Sequence, residues 1–173
     1  MRRHSAAVDD PRRIARAAGD EAFRGTPFRR DVRKLLWSAR NDTVTVALEL
    51  QRSRWGPQFY VNVGAHIDGI VQPLAFDPRD VTSYVAYTRL DSHAKTFDET
   101  LLNFGRDVPE HARLAAIAGE LRTHALPLLA RWSTPEGMRE FAAEEPADSG
   151  WGQRLRWFLG VGPRPEWMVW NPE

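Results

Sequence analysis

Six polar side chains carry whatever chemistry this sequence holds: Gln51, Ser53, Tyr60, Asn62, His66 and Arg89. They are two amides, two hydroxyls, an imidazole and a guanidinium, all hydrogen-bonding groups. None stands at a spacing that pairs a nucleophile with its base. Gathered on one surface they would form the donor-rich floor of a cleft, with Arg89 as anchor for an anion. The rival reading is structural. Mid-strand amides often satisfy backbone groups of a loop or a neighbouring strand, and a single strand histidine is usually packed or solvated. No catalytic residue is expected. The chain has no G-x-S-x-G elbow, no Walker loop, no dinucleotide glycine fingerprint and no H-E-x-x-H. His4, His66, His93, His111 and His124 show no ligand spacing, and there are no cysteines. Disulfides, thiolate nucleophiles and cysteine-ligated metals are thereby excluded, and neither a metal nor a cofactor is expected.

Residues 43 to 66 must position these groups. Val44, Val46, Leu48 and Leu50 alternate with Thr45, Ala47, Glu49 and Gln51. Phe59, Val61, Val63 and Ala65 alternate with Tyr60, Asn62, Gly64 and His66. A period of two sends successive side chains to opposite faces of a strand. The intervening Arg52-Ser53-Arg54-Trp55-Gly56-Pro57-Gln58 is rich in turn formers, and Pro57 cannot donate to a ladder. The pattern predicts an antiparallel hairpin with one apolar and one polar face.

The remaining elements follow from local signals. Asp9 or Asp10 caps a helix opening at Pro11, with Ile14, Ala17, Ala18 and Ala22 as its apolar stripe. A first strand is predicted over 33–40, ending in a turn at Asn41-Asp42. After a loop rich in glycine, proline and aspartate, 81–90 reads as a fourth strand. In it Tyr84, Ala86, Thr88 and Leu90 share one face, and Val85, Tyr87 and Arg89 the other. The segment from Asp91 to Phe104 fits either a short helix or an edge strand. The clearest helix is 108–132, capped by Asp107 and kinked just before Pro127. Another begins at Thr134-Pro135-Glu136. The expected fold is α+β: an antiparallel sheet of four to five strands with the N-terminal and C-terminal helices on one face.

The chain of 173 residues fits one domain, with 42% hydrophobic and 27% charged residues. Residues 1–8 are expected to be disordered, 9–145 to form the domain, and 146–173 to be a tryptophan-rich extension docked upon it. That extension holds Trp151, Trp157, Trp167 and Trp170, four of the seven tryptophans. It lies either on its own sheet, the favoured placement, or on a partner, since exposed tryptophan clusters mark interfaces. Net charge is +1, but residues 1–40 hold eleven basic and five acidic side chains. Without aromatic interleaving that excess reads as a solvated surface, and nucleic-acid binding is not expected. No apolar run reaches the roughly 20 residues of a membrane span, and the N-terminus lacks a signal-peptide core. A cytoplasmic protein is expected.

Leu50-Gln51-Arg52-Ser53, then Gly56, then Phe59-Tyr60-Val61-Asn62-Val63-Gly64 resembles the core motif of the bacterial family named domain of unknown function 4304. Gly25 with Phe28-Arg29-Arg30 looks like that family's step into its first strand. Thr88-Arg89-Leu90 is similar to its Arg-Leu strand, and Leu126-Pro127 to its closing helical region. The similarity covers residues 12 to 145. It implies an α+β fold and a cytoplasmic bacterial protein, and no activity. The leading expectation is a non-enzymatic protein-interaction module, one form of which is the neutralising partner of a toxin. The alternative is a small-ligand or enzymatic pocket on the polar sheet face.

Overall fold

A computed structural model describes residues 10–70, 75–144 and 150–166. The expected disorder of residues 1–8, most of the linker before α6, and Trp167 and Trp170 lie outside the described residues. The chain enters through α1 (Pro11–Ala22). Asp10 caps it by accepting the Arg12 N–H at 3.0 Å, and Pro11 sits where its missing N–H costs nothing. Ile14, Ala15, Ala18, Gly19 and Ala22 are buried along one side. Small residues let this helix lie close on the sheet. A Cβ on Gly19 would stand 2.3 Å from the Trp37 ring.

Five antiparallel strands follow in the order β1-β2-β3-β4-β5, so each strand pairs with its neighbour in sequence. They are β1 (Arg29–Arg30), β2 (Leu36–Asn41), β3 (Val44–Arg52), β4 (Phe59–Ile67) and β5 (Ala86–Arg89). The central hairpin forms as its alternation predicts, with Leu50 opposite Val61 and Gln51 opposite Tyr60. The first strand is displaced from 33–40. Asp31 accepts the N–H groups of Arg33 and Lys34 at 2.7 and 3.0 Å, which turns that stretch into a loop. Strand structure resumes at Leu36, and Arg29–Arg30 adds a short edge.

The inner face carries Trp37, Val44, Val46, Leu48, Leu50, Phe59, Val61, Val63 and Ala65, all buried. The helices cover it. The predicted helix 108–132 is three pieces: α3 (Glu110–Glu120), a π-helical turn over Leu121–Ala125, and α4 (Leu126–Trp132). Pro127 has no N–H and clashes with the preceding turn, so the widened turn just before it absorbs the mismatch. Asp107 does not cap this helix; Pro109 holds that position without a side-chain bond. Ile117, Ala118, Leu121, Ala125, Leu129 and Trp132 still face the core across the break. In α5 (Pro135–Glu144), Met138 and Phe141 are buried, and Thr134 accepts the Gly137 N–H at 3.1 Å. In α6 (Gly150–Phe158), which contacts α5, Leu155 is buried.

The predicted fourth strand is shortened. Asp80 caps a 3-10 turn at Val81–Ser83, and only Ala86–Arg89 pairs with β4. Tyr84 therefore leaves the face of Ala86. It packs against the opposite sheet face with Leu36, Ala47 and Val81 as a second, smaller apolar cluster. The segment from Asp91 to Phe104 resolves into α2 (Leu90–His93), a 3-10 turn at Glu99–Leu102, and an isolated bridge between Gln58 and Asn103.

Candidate functional site

The outer sheet face is divided in two. Toward one end of the hairpin an apolar layer covers it. Gly64 and Ala47 leave room for Val81 and Tyr84 to settle on the strands. His66 is drawn into this layer, 6% exposed, with its ring stacked on Phe76 at 3.8 Å. Among the described residues its Nδ1 has no hydrogen-bond partner. Burial pushes its pKa below the usual value, and the Asp68 carboxylate only partly opposes that. His66 is thus apart from the other five predicted residues, and the expectation that it joins them is corrected. Period two places it on the right face, but two alternate positions beyond Asn62 and under a different cover.

At the other end the face opens into a cleft of about 340 Å³. Gln51, Ser53, Tyr60, Asn62 and Arg89 all line it. Register brings them together, because Gln51 lies opposite Tyr60 and Asn62 lies opposite Arg89. The two amides satisfy each other rather than the backbone: Asn62, 1% exposed, donates from Nδ2 to Gln51 Oε1 at 2.9 Å. The Tyr60 hydroxyl accepts from Gln58 Nε2 at 2.7 Å. Ser53 and Gln58 together hold its pKa below the ordinary phenol value. The Arg89 guanidinium lies 4.2 Å above the Tyr60 ring. It also pairs with Asp91 at 2.5 Å, so its charge is partly matched within the chain.

The cleft has further walls that no sequence motif marks. Arg52 at the end of β3, Arg54 and Trp55 in the hairpin loop, and Tyr87 in β5 also line it. Trp55 is 92% exposed. Among the described residues no carboxylate pairs with Arg52 or Arg54. The sequence signal is Arg52-x-Arg54-Trp55, two cations just ahead of an aromatic in the hairpin connection. Glu49 shares this face without lining the cleft. It stands opposite Asn62, and burial raises its pKa. Among the described residues no three His, Asp or Glu side chains come together as a metal site would require. Ser53 meets a phenol and a backbone N–H, not an imidazole. What the arrangement offers is hydrogen-bond donors and cations around an aromatic platform.

Of the four tail tryptophans, Trp151 and Trp157 belong to α6. Trp157 is half-buried, against Phe158 at 4.8 Å and under Arg164 at 5.9 Å. Among the described residues no helix is long and apolar enough to cross a membrane.

Fold and face together define an α+β domain whose five-stranded antiparallel sheet keeps helices on one side and an open polar cleft on the other. Residues 22–131 match the family described as Domain of unknown function (DUF4304), and the chain belongs to that family. No curated protein and no solved structure shows significant similarity to it.

Proposed function

We propose that this chain is a non-enzymatic, protein-interaction module of the bacterial cytoplasm that binds an acidic partner at the tip of its central hairpin. One observation carries the reading: Trp55, almost fully exposed, lines the mouth of a cleft together with Arg52 and Arg54, which no carboxylate among the described residues neutralises. Tryptophan and arginine are the residues on which binding energy concentrates at protein interfaces. An uncovered tryptophan loses its exposed surface only when something docks on it. Unmatched cations favour an acidic docking surface and speed its approach.

A photo-crosslinking residue at position 55, introduced in the native host, tests this. The expected result is one crosslinked protein in near-stoichiometric yield, lost when Arg52 and Arg54 are both changed to Glu. Labelling spread over abundant proteins in proportion to their abundance would refute it. A second reading, a small anionic ligand, draws on the cleft volume, which falls in the range of small-molecule sites. Saturable shifts of the Gln51 and Asn62 side-chain amides on titration with inorganic phosphate or glutamate would favour that reading.

A further inference from the structure

The outer face holds a second cleft beside the first, about 230 Å³ in volume, lined among others by Gln58, Tyr60, Glu99, Asn103 and Arg106. Tyr60 lines both clefts, so the two meet at its ring. The far wall is firmly held. Gln58, just ahead of β4, pairs with Asn103 in an isolated antiparallel bridge. Beneath it Arg113 in α3 is 3% exposed and donates to the carbonyls of Leu101, Asn103 and Arg106 at 2.6, 3.0 and 2.6 Å. A wall pinned in this way is a preformed surface, and binding there loses little entropy to loop ordering.

Charge alternates along the combined surface. Arg52 and Arg54 stand at one end. In the middle, beside Tyr60, Arg89 is matched by Asp91 at 2.5 Å and Glu99 at 3.8 Å. Arg106 stands at the other end, exposed, and among the described residues it has no carboxylate partner. We infer that the two clefts act as one groove that seats an extended segment of a partner protein, acidic at both ends and uncharged where it crosses Tyr60. This rests on the outer face being the recognition surface. A nucleic-acid strand fits the pattern poorly, because a phosphate at every step would bring negative charge against Glu99 and Asp91 at the centre. A peptide can put carboxylates only where the arginines are.

The test uses the full chain and three labelled probes followed by fluorescence anisotropy: a decapeptide with aspartates at both ends and Ser-Asn repeats between, one with the same aspartates at a single end, and a ten-residue oligothymidylate. The two-ended peptide should bind best. Arg54→Glu and Arg106→Glu, both exposed positions, should each weaken it about five- to tenfold, with melting temperatures unchanged. If Arg106→Glu has no effect while Arg54→Glu abolishes binding, the occupant stays in the first cleft. The spanning groove is then wrong and the recognition surface stands. If neither substitution matters, or neither peptide binds at millimolar concentration, both readings fall. Tighter binding of the oligothymidylate, strengthened further by Glu99→Gln, overturns the peptide occupant.

Discussion

Gly64→Ala probes the second apolar cluster and the placement of Arg89 together. A Cβ at Gly64 would stand 2.9 Å from Val81 Cγ1, 3.1 Å from Tyr84 Cδ2 and 3.1 Å from the Ala86 carbonyl oxygen. Ordinary contact begins at 3.4 Å, so the valine methyl must retreat by about 0.5 Å and the other two by about 0.3 Å. Val81 and Tyr84 are fully buried, and the carbonyl belongs to β5, so none of the three swings aside freely. Overpacking of this kind costs about 1–3 kcal/mol. Removing glycine from a strand recovers about 0.5–1 kcal/mol of chain entropy. The net loss should be about 1–2 kcal/mol, or roughly 3–7 °C in melting temperature for a domain of this size. Urea unfolding followed by tryptophan fluorescence measures it. Combined with Val81→Ala, which opens the space the new methyl needs, the loss should be smaller than the two single losses added together. Amide shifts should also move at Tyr87 and Arg89, because pressure on Ala86 moves β5. A Gly64→Ala variant as stable as the parent, or strictly additive with Val81→Ala, would refute the packing on which the divided face depends.

Arg113→Met keeps the bulk of the side chain but leaves three loop carbonyls without their charged donor; it should cost about 3 kcal/mol or more and loosen the 99–107 segment in hydrogen exchange. Loss of stability without local deprotection there would mean that Arg113 does not pin the wall. The buried His66 predicts a pH response. Its folded pKa lies below the unfolded value of 6.5, so the unfolded chain binds the proton first. Stability is full above pH 6.5 and falls as the pH drops through that value toward the folded pKa. His66→Phe should flatten this part of the urea-midpoint profile between pH 7.5 and 5, and equal slopes in the two proteins would contradict the burial of the imidazole.

Much of the sheet is legible in order. The alternation of Val44 to Gln51 and of Phe59 to His66 sorts side chains to two faces without reference to anything else in the chain. The motif around Gln51, Ser53, Asn62 and Gly64 points to the family that residues 22–131 confirm. The cap at Asp10, the break before Pro127 and the helix opening at Pro135 are equally local, because capping and ring geometry act within one turn. The misplaced first strand is local as well: Asp31 takes two backbone N–H groups by a side-chain turn that competes with strand pairing.

Alternation thus determined which residues point away from the helices, and it is a property of the backbone alone. Tertiary structure decided what covers them. Val81 and Tyr84 follow a glycine- and proline-rich stretch with no periodicity to read, and they cover the His66 end of the outer face but not the cleft that Asn62 lines. Register then sets Asn62 against Arg89 and Gln51 against Tyr60, and the end of β3 and the loop after it bring Arg52, Arg54 and Trp55 to the same cleft. Contacts of that range depend on where distant segments cross, so the cleft exists only once the whole sheet and its cover are assembled.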